Sequence, residues 1–193
     1  MTTYILIGLT GLIVVILAVA AAQPAKFQVS RNASIAAPLT TVFGYLNDLH
    51  RWQEISPWAK LDPNAKITFG GPTTGVGAVF RWEGNAKIGQ GSMTITESWP
   101  NELVRYQLEF LKPMKATNTA EFTIRPDGSQ TFVTWSMTGE KNFVAKVMHL
   151  FINIDRMIGG QFETGLTTLK SLCESPAQPR SDRKAYMTHF RAG

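Results

Sequence analysis

The residues whose types and spacing could do chemistry are concentrated near position 50. His50 lies close to Asp48 and Glu54 in the sequence, and an imidazole grouped with carboxylates at a cavity mouth could work as a general acid–base pair. Asp48 and His50 could instead bond the free backbone groups at a helix end. We favour this capping role, so the catalytic residues stay unassigned.

Other catalytic and metal-binding patterns are missing from the sequence. The remaining histidines, His149 and His189, are expected at the surface and in a solvated tail, and the single cysteine, Cys173, has no partner. Neither zinc-ligand spacing nor a nucleophile elbow is present. The glycine-rich segment 70–77 is not followed by Lys-Ser/Thr, so it is predicted to be a flexible strand connection and not a phosphate-binding loop. We therefore expect no metal and no cofactor.

Alternating apolar residues predict which side chains share one face of the strands. Most are large, and two polar residues, Glu97 and Asn118, share their parity. Methionines and aromatic residues adapt to varied apolar ligands, but such a face more often fills a core. The polar pair could bond each other or nearby backbone, or orient the polar end of a ligand. The candidate ligand-binding residues are Phe80, Trp82, Met93, Ile95, Glu97, Tyr106, Leu108, Phe110, Asn118, Ala120, Phe122, Trp135, Met137, Met148 and Phe151.

The elements that must position these residues form an antiparallel meander. Strands are predicted at 27–36, 65–69, 77–83, 88–99, 102–111, 115–125 and 131–139, and short helices at 40–48 and 51–55. A helix of about 30 residues follows from Phe143 onward, with an apolar stripe and a kink or close backbone approach at Gly159-Gly160. Both the sheet and this helix must bury one face, so the sheet is expected to wrap around the helix.

The N-terminus is predicted to be a membrane segment. Tyr4 to Ala22 carry no charge, and as a helix they would be about 28 Å long, close to the thickness of a bilayer core. An uncleaved anchor is favoured because no basic residue precedes the apolar run; a cleaved signal segment and a buried soluble helix are the alternatives. Lys26 and Arg31 follow the segment, so the positive-inside rule slightly favours a single-pass protein whose domain is cytoplasmic.

Length and charge limit the remaining possibilities. The 193 residues carry a net charge of +5, which is too weak to indicate nucleic acid as a partner. More than half of that excess lies in the segment after Ser175, which contains Arg180, Arg183, Lys184, Arg191 and Asp182. The sequence therefore predicts an anchor or signal segment at 1–24, one domain at 25–175, and a basic disordered tail at 176–193.

Several short strings resemble one known family. Residues 47–52 (Asn-Asp-Leu-His-Arg-Trp), 56–58 (Ser-Pro-Trp), 116–122, 133–137 and 162–166 resemble the polyketide cyclase/dehydratase-like group (SRPBCC) of the START-like, helix-grip superfamily. The element order agrees over about residues 27–172. The resemblance implies an α+β helix-grip fold, similar to START and Bet v proteins, in which a curved antiparallel sheet holds a long C-terminal helix. It also implies a cavity for a hydrophobic ligand between helix and sheet, and no particular mechanism.

Three functions remain open. The first and favoured one is a membrane-tethered binding module whose partner is a hydrophobic small molecule or lipid. The second is a cyclase or dehydratase, which needs a correctly placed acid or base in the cavity. The third is a protein-interaction domain with a filled core and an exposed apolar patch.

Overall fold

A computed structural model describes residues 2–175 of the chain. The helices are α1 (Thr2–Ala22), α2 (Leu39–Leu46), α3 (Leu49–Ile55), α4 (Phe143–His149) and α5 (Ile154–Glu174). The strands are β1 (Lys26–Ile35), β2 (Lys66–Gly70), β3 (Val79–Glu83), β4 (Gln90–Trp99), β5 (Leu103–Lys112), β6 (Ala116–Asp127) and β7 (Gln130–Glu140). The predicted tail at 176–193, with His189, lies outside the described residues.

The seven strands form one antiparallel sheet in the order β1-β7-β6-β5-β4-β3-β2. Strands β2 to β7 are the predicted meander, and β1 closes the sheet against β7 through pairs from Lys26–Glu140 to Ile35–Thr131. The register brings the start of β1, the end of β7, the β5–β6 turn and the β3–β4 turn to the same end of the sheet. We call this the proximal end, because α1 leads into it, and the opposite end the distal end. The predicted helix-grip fold is confirmed.

Asp48 determines where the two short helices meet. Its side chain accepts hydrogen bonds from the backbone N–H groups of His50 and Arg51, which satisfies donors left free in the first turn of α3. A residue in this capping position cannot also continue α2, so the predicted extent of the first helix to Asp48 is wrong. The preferred capping role of Asp48 is confirmed.

The C-terminal helical region differs from the single helix of about 30 residues that the apolar stripe predicts. The chain forms α4, leaves helical geometry between Leu150 and Asn153, and begins again as α5. Asn153 causes the restart, since its side chain accepts a hydrogen bond from the Arg156 N–H. Helix α5 runs through Gly159-Gly160 without a break, and the helical region is interrupted instead between α4 and α5. The alternative prediction, a close approach, is correct: a Cβ on Gly159 would overlap the Arg31 guanidinium.

Arg31 attaches β1 to the first half of α5. Its guanidinium donates to Asp155 at 2.9 Å and to Glu163 at 2.7 Å. These hydrogen bonds raise the pKa of Arg31 above its ordinary value and lower that of Asp155. The start of α5 is therefore fixed over the first strand.

Helix α1 is separate from the domain core. Residues Thr3–Ala22 have a mean hydropathy of 2.9, and 6% of the most apolar window is buried, so by length and composition the helix could cross a membrane. Its C-terminal end packs against α4, where Ala20 is fully buried and Lys146 Nζ donates to the Ala21 carbonyl at 3.4 Å. This exposure does not fit the interpretation of α1 as a core helix.

Candidate functional site

The candidate residues predicted from alternation fall into three groups. Those that lie deepest in the core are Phe80, Met93, Ile95, Tyr106, Ala120, Phe122, Trp135 and Met137. Those that are half-buried are Trp82, Glu97, Leu108, Phe110 and Asn118. Met148 and Phe151 are exposed, Phe151 to 72%. The structure thus brings the first group together and separates it from the last.

Aromatic rings occupy the space in which a cavity between helix and sheet is expected. Trp135 of β7 stacks on Phe162 of α5 at a centroid distance of 4.0 Å and on Phe122 at 4.7 Å. Trp52 of α3 meets the edge of the same group at 5.3 Å from Trp135. The buried part of the predicted lining therefore packs closely around these rings, and a ligand cavity between helix and sheet stays a prediction.

Glu97 does not share the inward face with Ile95. The register of β4 on β5 shifts between these two residues, so Ile95 pairs with Tyr106 and Glu97 with Arg105. Such a β-bulge reverses the alternation beyond it. Glu97 therefore accepts from Arg105 on the outer face, and Arg105 also donates to Glu121 at 2.8 Å. The predicted inward orientation of Glu97 is wrong.

An open groove lies beside β1. It has a volume of about 520 Å³, which falls within the range of small-molecule sites. One wall is the start of β1, and the other is the turn between α4 and α5. The lining residues are Phe27, Gln28, Val29, His149, Leu150, Phe151, Ile152, Asn153, Ile154 and Asp155. His149, the last residue of α4, lines the groove, and α4 also packs against the end of α1, so the groove and the apolar helix have α4 as a common neighbour.

His149 lies in this groove and not on the open surface that the sequence predicts. Its ring meets the edge of Phe27 at 6.1 Å. Burial, with a smaller contribution from the positive charge of Lys141, lowers the pKa of His149. The imidazole is therefore neutral at neutral pH and contributes a polar atom without a charge.

Asn118 lies on the inward face next to the groove. Its Oδ1 and the Phe27 ring both occupy the space above Gly139, where a Cβ would overlap them. Its Nδ2 lies 3.9 Å from the sulfur of Met137, the one side-chain hydrogen bond of Asn118 among the described residues. The polar group is thus weakly partnered, and it borders the wall formed by Phe27.

The second cavity, about 120 Å³, lies between α3 and the β2–β3 connection. It contains His50, which stacks on Phe69 at 3.9 Å and lies 3.5 Å from Asp48. Asp48 is occupied with capping, and Glu54 is exposed. Asp48, His50 and Glu54 therefore do not come together on the inner face of the sheet. The glycine-rich connection lies beside this small cavity.

Residues 26–174 match the profile of a protein family described as polyketide cyclase / dehydrase and lipid transport. The chain belongs to this family. The family contains polyketide cyclases, and its helix-grip fold is one that binds ligands. A comparison with curated proteins found no match.

Solved structures show the same helix-grip fold at low sequence identity. Protein CV1439 from Chromobacterium violaceum is 15% identical, with a TM-score of 0.56 over 80% of this chain and all of that one. Major latex-like protein 151 from Panax ginseng is 12% identical, with a TM-score of 0.55 over 78% and 99% of the two chains. The di-domain ARO/CYC StfQ of the steffimycin biosynthetic pathway is 11% identical, with a TM-score of 0.56 over 78% and 51%. At these identities the likeness concerns the fold alone.

Sequence reasoning missed most of the groove. Phe27, Val29, Leu150 and Ile154 line it, whereas the sequence pattern marks them only as strand and helix positions. The signal that could have found them is Asn153 followed by Ile-Asp, a helix-start pattern inside the long apolar stripe. A break at this position separates α4 from α5, and the groove lies between the resulting turn and β1.

Proposed function

We propose that this family member is a membrane-tethered module that binds a hydrophobic small molecule or lipid in the groove between β1 and the α4–α5 turn. The observation that carries the proposal is the position of the groove: His149 at the end of α4 lines it, and α4 packs against the end of α1. Apolar ligands are concentrated in a bilayer. A groove at the base of a spanning helix would receive such a ligand without its passage through water.

The walls of the groove suit an apolar guest. Phe27, Leu150 and Ile152 offer apolar surface, and the neutral His149 can accept or donate one hydrogen bond. Paired residues of neighbouring strands form rows across the sheet. The row that starts at Phe27 continues through Gly139 to the half-buried Asn118 of β6 and Leu108 of β5. We propose this row, with Phe110 and Trp82 of the next row, as the inner wall, and the Asn118 amide as a partner for a polar atom of the guest.

The side of the membrane on which the domain lies is proposed from the positive charges that follow α1. Lys26 and Arg31 come directly after the apolar segment. Positive residues at one end of a spanning helix favour the cytoplasmic side. We therefore propose a single-pass protein with the domain in the cytoplasm.

Native mass spectrometry of the full chain, released from membranes under mild conditions, tests the proposal. Wild-type protein should carry a bound apolar species. Ile152→Asp places a charge in the groove at a residue that is already 39% exposed, so folding is expected to persist while the guest is lost, because a desolvated carboxylate is unfavourable in an apolar contact.

The matched control is Val76→Asp, which introduces the same charge at an exposed residue of the β2–β3 connection, at the distal end. It should retain the guest. Empty wild-type protein from several expression hosts, or equal retention by both variants, would refute the proposed site.

A second candidate is a protein-interaction module. The aromatic filling of the core and the exposed apolar side chains of α4, among them Phe143 and Val144, favour it. Under this alternative the wild-type protein would be empty, and a stable protein partner would be lost with substitutions on α4.

A further inference from the structure

The proximal end of the sheet carries far more positive charge than the distal end. The lysines at its strand ends and turns are Lys26, Lys66, Lys87, Lys112, Lys115 and Lys141. The carboxylates there are Glu83, Glu140 and Asp62, which accepts from the Asn85 N–H of the β3–β4 turn. Within residues 2–175, no carboxylate lies within 4 Å of any of these lysine Nζ atoms.

The distal end has a different character. Its β2–β3 connection, residues 71–78, contains no charged side chain, and its two hairpin turns carry Glu102, Asp127 and Arg125. Lysines at strand ends and turns are therefore concentrated at the proximal end of the sheet.

Exposed apolar side chains accompany the lysines. Leu111 comes directly before Lys112 at the end of β5, and Met114 lies between Lys112 and Lys115 in the β5–β6 turn; the two are 51% and 42% exposed. On α4 the corresponding residues are Phe143, Val144 and Met148. Lysines flanking exposed apolar tips match both parts of a lipid surface, since the cations face phosphate and the apolar groups reach the acyl region.

The chain path brings this end close to the bilayer. Only residues 23–25 separate α1 from β1, so Lys26 lies within about 14 Å of the end of α1. The contact between Lys146 and Ala21 holds α4 at the same level.

We propose that the proximal end docks on an anionic lipid surface, with the β5–β6 turn and α4 as its contacts. This inference rests on α1 being inserted, as the proposed function requires. Docking would hold the mouth of the groove against the bilayer, so that a lipid could pass between them.

The test uses the full chain in lipid nanodiscs that contain lipids with nitroxide-labelled acyl chains. A bimane fluorophore is attached through Met114→Cys at the proximal end or through Val76→Cys at the distal end. Burial raises the pKa of the Cys173 thiol to about 11, so this residue should stay unlabelled near neutral pH. Discs of phosphatidylcholine are compared with discs that also contain phosphatidylglycerol.

We expect strong quenching at position 114 in the anionic discs, less in neutral discs or in high salt, and little at position 76 in either. Lys112→Gln with Lys115→Gln should reduce the ratio of docked to undocked protein by roughly fivefold for each lysine. Arg125→Gln, which removes a distal cation, should leave the ratio unchanged.

Equal quenching in neutral and anionic discs, or no more quenching at 114 than at 76, would overturn the docking proposal. If the partner of this surface is an acidic protein and not a lipid, quenching would likewise be equal in neutral and anionic discs, and the proposal would be overturned. Failure of the chain to remain in the discs would overturn the anchor and docking together. Loss of docking with a guest still detected by native mass spectrometry would leave the proposed function standing.

Discussion

At the scale of single residues, the absence of a side chain at Gly165 of α5 makes room for Trp135. The indole lies between Phe162 and Phe122, and Gly165 leaves room for its edge. The indole N–H is buried and has no hydrogen-bond partner within the described residues. Its neighbours are aromatic rings, whose faces are weak acceptors. The core therefore depends on ring packing, which tolerates little added volume.

Gly165→Ala should destabilise the domain by about 1–3 kcal/mol, because the new methyl group would lie 2.6 Å from the Trp135 ring. Thermal or denaturant unfolding of the full chain in detergent micelles measures the change. An unchanged midpoint would show that this part of the core has spare room, as the sequence-based cavity required.

His149 should make the stability of the domain depend on pH in the mildly acidic range. Because burial lowers its pKa below 6.5, the unfolded chain takes up a proton at higher pH than the folded chain does. Stability is therefore unaffected at about pH 7.5 and falls as the pH drops through about 6.5. The Asp155 carboxyl, with a pKa lowered from 3.8 by Arg31, titrates in a lower and separate window.

We expect the midpoint of thermal unfolding to fall between about pH 7.5 and pH 5.5, and to fall less in His149→Gln. Scans of both proteins over this interval provide the measurement. Identical pH dependence would mean that the imidazole is not shielded in the groove.

At the scale of elements, two adjacent glycines of α5 have different surroundings. Gly159 is overlain by the Arg31 guanidinium, whereas a Cβ on Gly160 would meet nothing within 4 Å. The first glycine permits a contact between strand and helix, and the second weakens the helix without any compensating contact in the described structure.

Gly160→Ala should stabilise the domain by up to about 1 kcal/mol through helix propensity. Gly159→Ala should gain less or destabilise, because it displaces Arg31 from Asp155. Unfolding midpoints of the two variants, measured side by side, test this difference. A larger gain for Gly159→Ala than for Gly160→Ala would contradict the proposed role of Arg31.

The sequence was sufficient for the order of elements and for the inward side chains of regular strands. Alternation correctly placed Tyr106, Phe122 and Trp135 on the inward face of the sheet, because nothing interrupts their strands. It failed at Glu97, since a bulge changes the parity of every later residue and leaves little trace in composition. It also joined α4 to α5, because both helices carry apolar residues at spacings of three and four while Asn153 alone marks the break. The groove depends on that break, so its location could not follow from periodicity.

At the scale of the whole molecule, the apolar helix α1, the basic proximal end and the groove involve neighbouring elements. Helix α1 ends where β1 begins, α4 packs against α1, and the groove lies between β1 and the α4–α5 turn. The core at the centre of the sheet is filled by rings and serves as a scaffold for this end. We therefore propose that binding takes place at the edge of the helix-grip fold, next to the membrane.

Photo-crosslinking with a diazirine-bearing fatty acid, followed by peptide mapping of the full chain in nanodiscs, tests this claim most directly. We expect adducts on residues 27–29 and 149–155 of the wild-type protein. These adducts should be absent from the Ile152→Asp variant and present in the Val76→Asp variant. Adducts confined to the buried strand positions around Ile95, Phe122 and Trp135, or a pattern unchanged by Ile152→Asp, would contradict it.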